Sequence, residues 1–346
     1  MKTFKRHRDY GFFDQDLRLS KLTALGDPLE RLARGVDFEV FRKLLTEGLY
    51  KEPQGPGGRP PYDYVLMIKV LILQRYFNLS DDQVEYQIND RMSFMRFLDL
   101  TIADDVPDSR TVRLFRERLM ELGLVDKCFD LFLAELDKLG LIVNEGRIVD
   151  ASFVEVPRQR NSREDNKTIK EGGIPESISG NPSRKAQKDV EARWTKKNGV
   201  SFFGYKNHIK TDSGSKLILS YTTTDASVHD SQALGELLDG EKDANRPLYA
   251  DSAYVGQEQA RTIEGAKMEN RVHEKGCRNK PLDDAQKAAN RGKSKIRAQV
   301  EHVFGFMEMS MNGMYVHVIG KARVHAMNGL MNLTYNMFRS IQLQAL

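Results

Sequence analysis

A chain of 346 residues with 40% hydrophobic content is long enough for two domains with cores of their own, and its two cysteines, Cys128 and Cys277, show no spacing that founds a disulfide framework or a zinc site. A net charge of +4 is only a weak pointer to an anionic partner. The basic opening MKTFKRHRDYGFF lacks the apolar run and cleavage site of a secretory signal, and the most apolar window, Val65 to Leu73, is interrupted by Lys69 and falls short of the roughly 20 residues that span a bilayer, so a cytoplasmic protein without membrane contact is expected.

The first 140 residues read as helical. Asp37 to Tyr50 predicts a short amphipathic segment, ended by the Pro- and Gly-dense KEPQGPGGRPP. Tyr62 to Phe77 is apolar on nearly every side, as befits a helix at the centre of a bundle. Ser80 to Gln83 has the spacing of a capping box and opens a helix towards Asp90. After Pro107, Asp108 is expected to cap a helix on which Val112, Phe115, Leu119 and Leu122 make one apolar stripe. Arg110, Arg113, Arg116 and Arg118 then point elsewhere, either onto DNA or as a solvated face pairing with Glu117 and Glu121.

Past Gly146 the texture changes to strands. RIVDASFVE (147–155) is the first, the run from Gly199 to Asp212 the second, KLILSYTTT from Lys216 the third across a turn containing Gly214, and RPLYADSAY from Arg246 the fourth. A short fifth is expected near Glu269 to His273. Helices are expected from a capping box at Ser227–Asp230 through Leu238, over VGQEQARTIEG, and from Asp283 onwards, with Glu301 on IRAQVEHVFGFMEM. The class is therefore α+β with an α/β layer: helices first, then a mixed five-stranded sheet flanked by helices. Residues 157–194 are polar and punctuated by Gly and Pro, which predicts a mobile basic insertion. Thirteen Lys and Arg against six Asp and Glu between Arg158 and Lys210, and eight against two between Lys275 and Arg297, resemble the footprint of a phosphate backbone more than an evenly solvated surface.

Asp150 sits in the middle of the first strand and Asp251 near the end of the fourth. A carboxylate placed there must be paired, hydrogen-bonded or bound to a cation, although each taken alone is more often a cap or turn residue. Glu301 follows Arg297 by four residues on one helix face, as an i,i+4 surface pair or as part of a site. If the first and fourth strands are neighbours, the three carboxylates converge, and such oxygen donors suit Mg²⁺ or Mn²⁺. Two such ions about 4 Å apart would act on the attacking and leaving oxygens at phosphorus.

Lys206 and His208, two apart on the second strand, share a face that either touches phosphate or buries the histidine. Trp194 beside Lys196 and Lys197 suits stacking on an unpaired base, or plugging a domain seam. His229 and Asp230 are candidates for orienting groups near the metals, with Asp230 also placed to cap. The methionine-rich AMNGLMNLTYNMF near the end reads as packing.

At these residues the chain resembles, over nearly its whole length, a DDE transposase of the insertion-sequence five family. The resemblance rests on IVDASFVEVP, ARWTKKNGVSFFGYKNHIKTD, TTTDASVHDSQ, LYADSAYVG and RAQVEHVFG, together with the helical stretches GGRPPYDYVLMIKVLILQRYFNLSDDQVEYQINDRMSF and PDSRTVRLFRERL. It implies a helical DNA-end-binding domain over 1–140 and a ribonuclease-H-like catalytic domain over 141–346, with Asp150, Asp251 and Glu301 as catalytic metal ligands and Arg297 at the arginine position. It further implies two Mg²⁺ ions, with Mn²⁺ able to substitute, and double-stranded DNA, both transposon ends and target, as partner. A homodimer on DNA, associated with the nucleoid when bound, goes with it. Ser294 and Glu308 stand where the family has tyrosine and lysine, which leaves open whether Lys293, Lys295, Lys321 or Arg323 makes the terminal-phosphate contacts. A metal-dependent nuclease without strand transfer, and a DNA-binding regulator with a silent core, are the alternatives.

Overall fold

The computed structural model describes residues 11–50, 52, 60–277 and 281–345. The basic residues 1–10 and most of the Pro- and Gly-dense stretch after Tyr50 lie outside them. Helices come first: α1 (Asp14–Ala24), α2 (Pro28–Gly35), α3 (Arg42–Leu49), α4 (Tyr64–Tyr76), α5 (Asp81–Asp90), α6 (Met92–Phe97), α7 (Ser109–Glu121) and α8 (Leu124–Lys138). Local signals account for several of their starts. The Asp63 carboxylate accepts the Val65 and Leu66 N–H groups at the start of α4, Ser80 and Gln83 close a capping box on α5, and Asp108 accepts from Thr111 on α7. α4 is buried on most sides, through Val65, Met67, Ile68, Val70 and the residues up to Arg75, as its uniform apolarity predicts.

On α7 the arginines part company. Arg118 pairs with Glu121, and Arg110 and Arg113 are exposed. Arg116 departs from the expectation: it is buried and forks onto both carboxylate oxygens of Asp81, at 2.6 and 3.0 Å, with Gln74 as a third partner. It lies four residues after Val112, on the buried side of the helix, and is held there because the start of α5 supplies a matching carboxylate.

The sheet is built around β1 (Arg147–Glu155). It continues through β2 (Arg193–Lys197), β3 (Val200–Asp212), β4 (Ile218–Asp225), β5 (Pro247–Tyr249) and β6 (Glu269–Asn270). β1, β3 and β4 are antiparallel, β5 and β6 add in parallel on the other edge of β1, and the order is β4-β3-β1-β5-β6. One strand more than the expected five appears, because Trp194 and its neighbours form β2, antiparallel to the first half of β3. The turn between them is Asn198-Gly199, both with positive φ (51° and 84°), the backbone that a two-residue hairpin matching strand twist requires. Gly204 is the position where β3 presses closest on β1: a Cβ there would meet the Val154 carbonyl oxygen at 2.3 Å.

Residues 157–194 are more ordered than their composition suggests. They form α9 (Arg163–Lys170), α10 (Glu176–Ser179) and α11 (Pro182–Gln187), with Ser162 and Asn181 as N-caps and Ile169 and Ile178 buried. Asp189 anchors the end of the segment by accepting from the Tyr205 hydroxyl and the Gly320 N–H. The expected capping box at Ser227 does not form. Ser227 bonds Asp225, His229 caps a short 3₁₀ turn leading into α12 (Leu234–Leu237), and Asp230 is taken by Lys206 at 2.7 Å. A cation within reach outcompetes a backbone N–H for that carboxylate.

α13 (Gln257–Gly265), α14 (Asp284–Arg297), α15 (Gln299–Met309) and α16 (Lys321–Gln344) complete the chain. One apolar core runs from Leu29 to Phe338 and joins the N-terminal helices to one face of the sheet. α16 threads through it, and its asparagines at every fourth position form a buried ladder. Asn328 donates to Thr223, Asn332 exchanges bonds with Asn207 at 2.9 and 3.3 Å, and Asn336 both donates to and accepts from the Ile218 backbone. At the foot of β1, Arg147 binds Asp212 and Asp243, and Lys210 also binds Asp243, all of them buried, which ties the loop ahead of β5 to β1. Asn332→Ala leaves the Asn207 amide without a partner inside the core and should lower the unfolding free energy by about 1–3 kcal/mol in urea titration; an unchanged midpoint would show that the ladder holds nothing.

Candidate active site

The parallel ladder between β1 and β5 ends at the pair Ile148 and Tyr249. Carried two residues onward, that register sets Asp150, in the middle of β1, beside Asp251, just past the carboxyl end of β5 where the two strands part. Open α/β sheets hold their ligands in this kind of crevice. Asp251 lies beyond the strand rather than near its end as expected, because its carboxylate accepts the Ala253 N–H at 2.7 Å and starts a 3₁₀ turn, Ser252–Tyr254.

Asp150 is held by the Ala151 N–H on one oxygen (2.8 Å) and by Arg297 Nη1 on the other (3.0 Å). The same guanidinium reaches Glu301 Oε1 through Nη2 at 3.4 Å. Arg297 and Glu301 do not share an unbroken helix, since α14 ends at Arg297 and α15 opens at Gln299, yet Ala298 keeps helical angles and the i,i+4 contact survives. Burial pushes the Asp150 carboxyl up from 3.8 to about 6; the Ala151 bond and Arg297 oppose this, and the charge of Asp251 adds to it. Tyr254, three residues after Asp251, has a buried hydroxyl with no hydrogen-bond partner among the described residues, and its pKa lies well above the ordinary value through burial first and then the charges of Asp150, Asp230 and Asp251. Sequence reading passed over Tyr254; its i+3 spacing on a 3₁₀ turn is the signal that could have found it.

The donors here are carboxylate oxygens, the set that suits a hard divalent cation, and the buried Asp150 charge is answered by one guanidinium, so the residues fit such an ion. Among the described residues no three His, Cys, Asp or Glu side chains stand together as a ready chelate. Arg297 lies between Asp150 and Glu301, and the Glu301 side chain is 63% exposed.

The remaining candidates lie elsewhere. Lys206 and His208 share a face, but they pair with Phe153 and Ala151 while Asp150 pairs with Ile209, so that face is the opposite one. Both are buried. Lys206 holds Asp230, and His208 bonds Thr224 with its pKa pushed down to about 4 by burial. His229 caps its turn through Ser231. Trp194 is half exposed, packed on Phe203 with the Arg158 guanidinium over its ring, and Lys196 and Lys197 stand exposed on β2. Ser294 bonds His273 at 2.9 Å, Lys293 is held by the Val272 carbonyl, Arg323 is paired with Glu117, and Glu308 is exposed.

Two strands that are parallel up to Ile148 and Tyr249 part around neighbouring aspartates, and an arginine bridges the first of these to Glu301. Residues 143–337, more than half of the chain, match the family model described as "Transposase DDE domain", and residues 17–118 match "Transposase domain (DUF772)". The chain belongs to the transposase DDE domain family and is a transposase. Among solved structures it is similar to the cryo-EM structure of a piggyBac transposase synaptic complex with hairpin DNA, at 13% identity and a TM-score of 0.46, over 91% of this chain and 75% of that one.

The unfolded chain releases the Asp150 proton near 3.8 while the folded one keeps it to about 6, so without divalent ions this residue lowers stability as pH rises through that window. Asp150→Asn should therefore raise the melting free energy by about 1–3 kcal/mol at pH 7.5 in chelator and confer no gain at pH 4. A gain of the same size at both pH values would refute the buried-charge account.

Proposed function

We propose that this transposase is of the insertion-sequence five type. Its helical part (residues 1–140) binds terminal inverted repeats, and its sheet-bearing part (141–346), a ribonuclease-H-like core, cuts and joins DNA strands with Asp150, Asp251 and Glu301. The β1–β5 register carries the reading: it sets side by side two aspartates a hundred residues apart in the chain, with Arg297 joining the first to Glu301. The order β4-β3-β1-β5-β6, antiparallel on one side of β1 and parallel on the other, supports the ribonuclease-H-like assignment.

Two magnesium ions, or manganese in their place, would be held by Asp150, Asp251 and Glu301 and would activate the attacking oxygen and stabilise the leaving one. The protein's own groups prepare for this. Arg297 bonds both Asp150 and Glu301 when no cation is bound, and on DNA the guanidinium is placed to take a phosphate oxygen instead. Exposed at the start of α15, Glu301 can turn from Arg297 towards Asp150 at little cost. The Tyr254 hydroxyl is a donor awaiting an acceptor beside the same carboxylates. In the first step water attacks the phosphodiester at the transposon end and the bond to the 3′ oxygen breaks, leaving a 3′-hydroxyl. In the second that hydroxyl attacks target DNA, so one phosphodiester forms as another breaks.

Arg110 and Arg113 on α7, and Trp194, Lys196 and Lys197 on β2, are the DNA-facing residues of this reading. Pairing two ends calls for a homodimer on DNA. Among the described residues no helix is long and apolar enough to cross a membrane, and the cytoplasm is where the chain would meet its DNA.

With an end-bearing duplex and Mg²⁺, Asp150→Asn and Glu301→Gln should each cut cleavage by about 10²–10³-fold or more while leaving end binding within a few-fold of wild type. Full cleavage by either variant sinks the metal-ligand assignment. Pre-cut ends incubated with target DNA test joining, and wild-type cleavage without joined product would make the protein a nuclease.

A further inference from the structure

A cleft of about 460 Å³ lies between the carboxyl end of α4, the amino ends of α5 and α7, and residues 316–318. Arg75 of α4 lines it and is only 2% exposed. Its Nη2 donates to the Gly313 carbonyl at 3.1 Å and lies 4.0 Å from the Met331 sulfur, and its Nε is buried with no acceptor among the described residues. No carboxylate pairs with Arg75 among the described residues. Burial pushes its pKa down to about 10, so it still carries its charge at neutral pH.

Arg116, lining the same cleft, shows what a buried guanidinium normally requires, since both oxygens of Asp81 answer it. Arg110 and Arg113, three apart on α7, also line the cleft, and neither makes a hydrogen bond or ion pair among the described residues. Of the carboxylates lining the cleft among the described residues, Asp81 is committed to Arg116 and Asp82 is exposed, while Glu85 beside it is taken up by the Ser109 N–H.

We propose that this cleft seats a backbone phosphate of DNA, with Arg75 as the buried anchor and Arg110 and Arg113 as outer clamps. The inference rests on the DNA-acting reading above and adds to it the group that makes the deepest phosphate contact. A phosphodiester suits the cleft better than a carboxylate ligand, because the three guanidinium groups approach from two helices, one from α4 and two from α7, and a phosphate offers oxygens in more than one plane. Arg110 and Arg113, open to solvent along one helix, leave room for the strand to continue on either side.

The test uses the full chain, a duplex oligonucleotide of random sequence followed by fluorescence anisotropy over a salt series, and thermal melting with and without inorganic phosphate. Arg75→Met and Arg113→Gln should each weaken duplex binding several-fold and reduce the salt slope by about 1. In phosphate-free buffer Arg75→Met should melt at or above wild type, since it removes a buried charge that nothing balances. Wild-type affinity and slope in Arg113→Gln, an exposed position that cannot unfold the protein, overturn the proposal even if Arg75→Met fails to fold. Saturable stabilisation by inorganic phosphate that is lost in Arg75→Met, with duplex binding unchanged, assigns the cleft to a free anion and overturns the DNA assignment. A wild-type chain that binds no duplex sinks the functional reading as well; one that binds duplex equally in all variants sinks the cleft alone.

Discussion

One guanidinium holds two parts of the chain in register with each other. Arg297 bonds Asp150 in the middle of β1 and Glu301 at the start of α15, so the strand at the centre of the sheet and the junction between α14 and α15 are fastened through a single cation. A buried carboxylate in a strand is unfavourable unless its charge is answered, and here the answer comes from 147 residues away in sequence. The arrangement is strong enough to order the site and weak enough to exchange. The Glu301 contact is long at 3.4 Å and exposed, whereas the Asp150 contact is shorter and more sheltered.

Around that pair the fold uses buried polar groups as alignment devices. The asparagine ladder of α16 matches specific backbone and side-chain partners on β3 and β4, and a slide of the helix by one residue would leave every rung unpaired. The Arg147, Asp212, Asp243 and Lys210 cluster does the same for the loop ahead of β5. Since the β1–β5 register decides whether Asp150 and Asp251 stand together, the cluster at the foot of β1 bears directly on the geometry of the proposed site. Gly329 of α16 belongs to this group, because a Cβ there would strike the Tyr221 hydroxyl at 2.3 Å and push the helix off the sheet.

Much of the helical part was legible because its signals are local. Asp108 and the Ser80–Gln83 box announce their helices within four residues, and α4 declares its central place by apolarity on all sides. The strands β1, β3 and β4 were legible for the same reason. Elements whose identity depends on a distant partner were misread. Arg116 looks like a surface residue until Asp81 is brought to it, Asp230 looks like a cap until Lys206 takes it, and residues 157–194 look shapeless until Asp189 is tied to Tyr205 and Gly320. The Asn198-Gly199 hairpin and the Asn328, Asn332, Asn336 spacing were present as local signals and passed over, the first inside a longer strand-like run and the second beneath a methionine-rich texture.

By itself the sequence determined the helix caps at Ser80 and Asp108, the alternation of the main strands, the stripe on α7 and the presence of acidic residues where apolar ones are expected. Each of these is a matter of backbone hydrogen bonding or side-chain direction over a few residues. Only the tertiary structure decided that Asp150 faces Arg297 while Lys206 and His208 face the other way, that β5 stops two residues short of Asp251, and that Arg75 is buried without a counter-charge among the described residues. Those outcomes follow from strand register and from which charges come within a few ångströms of each other. Contacts of that kind span 100 residues and more, and no local propensity encodes them.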